Sequence, residues 1–268
     1  MSEATGIAAV CLSATPSLKT LDQPLLRWLA QHHRIAQWEC SQQLDEAISL
    51  DQQVKLLHQF LKKQATPLHL IGHGLSGVLG LLYARCYPQQ VRSLVLLAVG
   101  SQPAATWHAH YYVQRQLFPW SRQQVLARLL GQLLTQPFPH PACQLVKALA
   151  DDLDFSPMPH SLFRLITLSE GGIAPPLLIC GGGEDAIIDL AGLFRWQAWM
   201  KPQDQLWVCP AGKHFFHTHH APLVGSKILG FWESLVPTHR SPLSPLARDP
   251  VPPLDGHPSL PHPPCTAT

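Results

Sequence analysis

Short apolar runs alternate with amphipathic stretches along the first hundred residues of the chain. Near-continuous apolar runs of this kind are typical of strands buried on both faces of a parallel sheet. Residues 50–61 instead carry leucine and valine at helical spacing. Ser49 precedes them, and Gln52 follows Ser49 by three residues, which is the signature of a capping box. The pattern predicts strands and helices in alternation, with helices covering both faces of the sheet. The predicted strands are residues 7–12, 34–39, 68–71 and 91–99.

The alternation stops after the fourth predicted strand. The next segment, 101–172, contains helical runs broken by prolines and is too long for a simple connection between a strand and a helix. Strands are predicted again at 176–180 and 205–210, each followed by a helix. We therefore expect a doubly wound α/β domain with its core at 1–100 and 173–236, and an inserted helical cap at 101–172. The predicted cap helices are residues 107–117, 121–134, 142–153 and 160–168.

Residues 237–268 differ in composition from the rest of the chain. Proline and serine are frequent there, aromatic residues are absent, and the apolar residues follow no period. Such a segment buries too little apolar surface to offset the entropy lost on ordering. We expect a disordered tail, which either has no specific partner or binds an aromatic groove of a protein module as a polyproline helix.

Composition excludes several classes of partner. Charged residues make up only 13% of the chain and the net charge is +2, without the clustered basic face that nucleic-acid binding needs. No apolar stretch is long enough to cross a bilayer, and the N-terminus lacks the basic start of a signal peptide. The 7 cysteines are odd in number and form no C-x-x-C motif. We expect a cytoplasmic protein in a reducing compartment.

The most specific motif lies at the corner after the third predicted strand. Residues 68–84 read LHLIGHGLSGVLGLLYA, in which an apolar strand meets a glycine-rich turn and then a helix. This is the strand–turn–helix pattern of a nucleophile elbow, G-x-S-x-G. Gly74 occupies the tip, where the serine is expected, and Ser76 follows two residues later. Glycine adopts the strained conformation of the tip at little cost, but it has no attacking oxygen.

Two later segments complete a resemblance to the α/β-hydrolase superfamily. The segment PLLICGGGEDAII, residues 176–188, is similar to the one that carries the family's acid, here Asp185. The segment PAGKHFFH, residues 210–217, is similar to the one that carries its histidine, here His214. Elbow, acid and histidine follow each other in the family's order, and the resemblance spans about residues 7–235. It implies an α/β-hydrolase fold, a mostly parallel doubly wound sheet with an inserted helical cap.

The resemblance also implies a role for each site residue. His214 would be the base, Asp185 would orient it, and the N–H groups of Leu75 and of a residue near Thr15 would stabilise an oxyanion. The loop after the first strand reads Ser-Ala-Thr where the family usually has His-Gly. No cofactor is implied. No metal is expected at the histidine cluster 214–220, because no cysteine or carboxylate lies nearby at ligand spacing.

Gly74 leaves open whether the chain is an enzyme. One hypothesis is a pseudoenzyme with a degenerate esterase-like site, which binds a small, mostly apolar molecule under the cap or serves as a scaffold. The second is an active enzyme. It would be either an ester or thioester hydrolase that uses Ser76, or a proton-transfer catalyst that uses His214 and Asp185. Alignment of the corner favours a packing role for Ser76. The aromatic and histidine residues at 107–120 either line a pocket or pack the cap helices.

Overall fold

The computed structural model describes residues 6–14, 16–40, 49–103, 105–156, 160–161, 164–165 and 169–236. Its strands are β1 (Ala9–Ser13), β2 (Ile35–Glu39), β3 (Leu68–His73), β4 (Val91–Leu97), β5 (His160–Ser161), β6 (Arg164–Leu165), β7 (Leu177–Gly182) and β8 (Gln205–Cys209). The main sheet has the order β2-β1-β3-β4-β7-β8, and every neighbouring pair in it is parallel. The predicted tail at 237–268 lies outside the described residues.

Helices cover both faces of this sheet. The described α-helices are α1 (Gln23–Leu29), α2 (Leu50–Leu61), α3 (Gly74–Cys86), α4 (Trp107–Leu117), α5 (Arg122–Leu133), α6 (Ala142–Phe155), α7 (Leu190–Phe194), α8 (Phe216–His219) and α9 (Ala221–Ser234). Helices α2 and α3 pack together, and α1 packs against α9. The predicted doubly wound α/β architecture is confirmed. Within the described part of the chain, no helix is long and apolar enough to cross a membrane.

Alternate residues of the central strands belong to two different apolar cores. In β4, Leu94 and Leu96 pack in the core that holds α2 and α3, whereas Val95 and Leu97 pack in the core that holds α1 and α9. All four side chains are at most 2% exposed. A strand with helices on both sides has no polar face, and for that reason the sequence of β4 is apolar at every position after Ser93.

The start of α2 agrees with its sequence signature. Ser49 Oγ accepts a hydrogen bond from the Gln52 N–H at 3.3 Å, and Gln52 Oε1 accepts one from the Ser49 N–H at 2.8 Å. This reciprocal pair satisfies two N–H groups that a helix end otherwise leaves without partners. The predicted capping box is confirmed.

Three helices, α4 to α6, lie between β4 and β7, at the positions predicted for the first three cap helices. The predicted helix at 160–168 is wrong at its described residues, where β5 and β6 pair as antiparallel strands. Apolar spacing in so short a run does not distinguish a helix from a strand. The run is rich in leucine, isoleucine, phenylalanine and threonine, and β-branched and aromatic residues favour an extended conformation.

His69 on β3 makes folding sensitive to acid. Its ring is buried, lies 2.6 Å from Ser93 Oγ through Nδ1 and stacks on Trp232. Burial, and then the nearby Arg92 and His33, lower the pKa of His69 to about 3. In the unfolded chain the imidazole of His69 takes up a proton near pH 6.5, whereas in the folded protein it does so only near pH 3. Between these values each pH unit downward therefore costs about 1.4 kcal/mol of stability.

Replacing His69 by Asn is expected to remove this loss. Between pH 6 and 4.5 the wild type should lose about 2 kcal/mol more of unfolding free energy than His69→Asn. Asn retains a polar atom near the position of Nδ1 but does not titrate. Urea unfolding at both pH values measures the difference, with the exposed His140→Asn as control. Equal losses in the wild type and His69→Asn would contradict the assignment.

Candidate functional site

A cavity opens at the carboxyl ends of β1 and β3. The chain passes outward from β1 to β2 and then returns beyond β1 to form β3, so these two strand ends make a topological switch point. The cavity is lined by both strand ends, by His214 and by the first turn of α4. Its volume is about 40 Å³, which is room for about three water molecules.

Two glycines shape the turn between β3 and α3. Gly74, the first residue of α3, has φ +49°, in the left-handed region that costs other residues about 1–2 kcal/mol. The backbone at Gly72 passes very close to the first turn of α3. A Cβ there would lie 2.6 Å from backbone atoms of Ser76 and Gly77. Glycine is therefore required at Gly72 by packing and favoured at Gly74 by conformation.

His214 lies opposite Gly74. A Cβ built on Gly74 would lie 4.0 Å from His214 Nε2, an ordinary contact distance, and meets no closer atom. His214 follows β8 and is only 2% exposed, and its Nδ1 lies 2.9 Å from Oδ2 of Asp185, which follows β7. The structure thus brings Gly74, His214 and Asp185 together, and the first two line the cavity.

The carboxylate of Asp185 is fully engaged. Its Oδ1 accepts hydrogen bonds from the N–H groups of Ile187 at 2.8 Å and Ile188 at 3.1 Å. Burial raises the pKa of Asp185, but the nearby His214 imidazole and these hydrogen bonds outweigh burial and lower the pKa below its usual value. The carboxylate of Asp185 accepts a hydrogen bond from Nδ1–H of His214. The other ring nitrogen, Nε2, faces Gly74.

A hydrogen bond from His73 holds the backbone of His214 in place. Burial, and then His217 and His214, lower the pKa of His73 far below its usual value, so His73 is neutral. Its Nε2–H donates to the His214 carbonyl at 3.1 Å. His217 Nε2 contacts Asp22 Oδ1 at 2.9 Å. Within the described ranges, no three histidine, cysteine, aspartate or glutamate side chains come together in a way that would hold a metal ion.

Ser76 connects α3 to the loop after β1. Its Oγ accepts a hydrogen bond from the Ala14 N–H at 2.9 Å, and the Ala14 carbonyl accepts one from Gln53 Nε2 at 3.1 Å. The backbone of Ala14 is therefore fixed on both sides. Leu75 lines the cavity, whereas Thr15, the other residue predicted near the oxyanion position, lies outside the described residues.

Sequence reasoning missed two polar residues around the site, Gln53 and Asp152, and it named His108 only among the residues at 107–120 that either line a pocket or pack the helices. Gln53 lies three residues after Leu50, on the apolar face of α2, and is fully buried. His108 and Asp152 belong to the cap, line the cavity and are each 2% exposed. The signal for Gln53 and Asp152 was a polar residue at an apolar helix position, since Asp152 is at helical spacing from Leu149.

Known proteins match this chain over most of its length. The sequence profile of the Alpha/beta hydrolase family matches residues 22–225. An uncharacterized protein of Nostoc sp. (strain PCC 7120) is 46% identical over 222 residues, which cover 83% of this chain and 89% of that protein. An uncharacterized protein of Synechocystis sp. (strain PCC 6803) is 40% identical over 226 residues, 84% of this chain and 90% of that protein.

Solved structures share the fold at much lower identity. The meta-cleavage product hydrolase CumD of Pseudomonas fluorescens IP01 is 15% identical, with a TM-score of 0.66 over 85% of this chain and 91% of CumD. A bromoperoxidase from Bacillus anthracis is 16% identical, with a TM-score of 0.62 over 85% of this chain and 92% of that one. At such identities the likeness shows the fold alone. The matched family profile, joined to the parallel sheet and its turn after β3, shows that the chain belongs to the alpha/beta hydrolase family.

Proposed function

We propose that this chain binds a small molecule in the cavity at Gly74 and does not act through a covalent serine intermediate. The observation that carries the proposal is the pairing of Gly74 with His214. The tip of the turn faces a histidine oriented by Asp185, but glycine has no oxygen to attack a substrate.

The hydrogen bond of Ser76 supports this proposal. Its hydroxyl accepts the Ala14 N–H, and a Ser76 that turned toward His214 would leave that N–H without its partner. An unsatisfied buried N–H costs about 1–3 kcal/mol. A structural role, in which Ser76 ties the loop after β1 to α3, accounts for the residue without any reaction.

The residues that line the cavity limit the size and the polarity of a ligand. Trp107, Leu75 and Phe215 provide apolar surface, and the small volume favours a molecule, or part of one, with few atoms. Histidine and aspartate side chains share the lining with them. The ligand that fits is therefore small and carries at least one polar group, in addition to the apolar character expected from the sequence.

Proton transfer is the second candidate function. The orientation of His214 favours it, because Asp185 holds Nδ1 and leaves Nε2 directed at the cavity. A base in this position can take a proton from water or from an acidic C–H or O–H group of a bound molecule. The same cavity then serves as a site of reaction instead of a site of binding alone.

Treatment with an alkyl fluorophosphonate tests the main proposal. Wild-type protein is expected to form no adduct in intact-protein mass spectrometry, because Gly74 has no hydroxyl and the Ser76 hydroxyl is bonded to the Ala14 N–H. An adduct that disappears in Ser76→Ala would show that Ser76 is the nucleophile and overturn the proposal. Turnover of p-nitrophenyl acetate without an adduct, lost in His214→Ala but kept in Ser76→Ala, would favour proton transfer.

A further inference from the structure

A second buried histidine–aspartate pair lies in the cap. His108 is in the first turn of α4 and Asp152 is in α6, and both side chains are only 2% exposed. His108 Nε2 lies 3.0 Å from Asp152 Oδ2. Both residues line the cavity that also contains Gly74 and His214. The cavity thus has one such pair from the sheet and one from the cap.

The cap pair is incompletely hydrogen-bonded. Although His108 Nε2 is close to Asp152, its N–H direction does not make a hydrogen bond, and Nδ1 has no partner either. Oδ1 of Asp152 is also without a partner. Buried polar atoms in native proteins nearly always have partners, and each one without a partner costs about 1–3 kcal/mol. Three such atoms on two residues that line a cavity indicate a polar group that binds there.

The pair of Asp185 and His214, which follows two strands of the sheet, has hydrogen-bond partners for both carboxylate oxygens. Both oxygens of Asp185 are bonded, one to His214 and one to the N–H groups of Ile187 and Ile188. A pair that only joined α4 to α6 would be expected to reach similar saturation, since it lies equally deep. The spare donor and acceptor capacity of His108 and Asp152 therefore points to a ligand.

Charge and size indicate the class of that ligand. No lysine or arginine is among the described residues that line the cavity, whereas the carboxylates of Asp22 and Asp152 are. An anionic group would be repelled there and would find no cation to pair with. A hydroxyl group both accepts and donates through one atom, so it suits adjacent imidazole and carboxylate groups in a small space.

We propose that His108 and Asp152 bind a hydroxyl group of a small uncharged ligand. The hydroxyl oxygen accepts the ring N–H of His108, and the hydroxyl proton is donated to Asp152 Oδ1. This inference rests on the proposed function, because it places the ligand in the same cavity and names its chemical class. The hydroxyl compound is held by the cap while its remaining atoms lie toward Gly74 and His214.

Two probes of similar size test the proposal, propane-1,2-diol and propionate. Each is titrated into full-length protein with isotope-labelled histidines, and binding is followed by NMR of the imidazole signals of His108 and His214. The diol is expected to shift both signals and to bind about tenfold more tightly than propionate. Asp152→Asn should weaken diol binding about tenfold, because a neutral amide oxygen is a weaker acceptor of the hydroxyl proton than a carboxylate oxygen.

The control is Asp151→Asn, which removes the neighbouring carboxylate of the same helix, bonded at the surface to Lys147. It should leave diol binding unchanged. Equal diol affinity in the wild type and Asp152→Asn, or tighter binding of propionate than of diol, overturns the inference while the cavity remains a binding site. If neither probe shifts His214, the proposed function itself fails. Should Asp152→Asn not fold, His108→Gln replaces it, and the comparison of the two probes needs only the wild type.

Discussion

Replacing Gly74 by serine is expected to make the turn reactive toward a fluorophosphonate. The Cβ of residue 74 would lie 4.0 Å from His214 Nε2, so an Oγ directed toward the ring would lie within hydrogen-bond distance of the base. Asp185 already orients His214 through Nδ1. Labelling of Gly74→Ser, followed by mass spectrometry, should be at least about 100-fold faster than labelling of the wild type, the range that an aligned general base contributes.

Gly74→Ala is the matched control for this gain. Alanine has the same Cβ and meets the same conformational strain at φ +49°, but it has no hydroxyl. Both variants should lose about 1–2 kcal/mol of unfolding free energy, measured in urea, and only the serine variant should be labelled. A stable Gly74→Ser that is no more reactive than Gly74→Ala would show that His214 is not placed to activate residue 74.

Replacing Gly182 by alanine is expected to be the most destabilising of these changes. Gly182 ends β7, and a Cβ there would lie 2.7 Å from the Lys213 carbonyl oxygen and closer still to that of Gly212. Both atoms are backbone, so they cannot move aside as the end of a side chain can. The segment that carries His214 would have to shift, and the cost is about 3 kcal/mol or more. Urea unfolding measures this loss.

The neighbouring glycine provides the control. At Gly183 the nearest atom to an added Cβ is the Cys209 carbonyl oxygen at 3.4 Å, an ordinary contact. Gly183→Ala should therefore change stability by less than about 1 kcal/mol, although it lies one residue from Gly182. If Gly182→Ala and Gly183→Ala lose the same unfolding free energy, the close approach of Gly182 to residues 212 and 213 is not the cause of the loss.

The sequence predicted the sheet because each buried strand leaves a local pattern. The turn at Gly74 was predicted because its pattern is also local. That Asp185 and His214 lie together was expected only from the resemblance to a family, and the family match supports this resemblance. The contact between His108 and Asp152 depends on how α4 and α6 pack against each other, and no pattern within either helix predicts that packing. The helix predicted at 160–168 failed for a related reason, because a short apolar run is compatible with either state.

The hydrogen bond between Ser76 and Ala14 bears on what a serine at residue 74 would achieve alone. Gly74→Ser places a hydroxyl opposite His214, but the Ala14 N–H still points inward to Ser76, and Gln53 holds the adjoining carbonyl. A loop fixed in this way cannot turn that N–H toward a substrate oxygen. Gly74→Ser therefore supplies a nucleophile without an oxyanion donor from Ala14, and a donor from this residue requires a second change that releases its N–H.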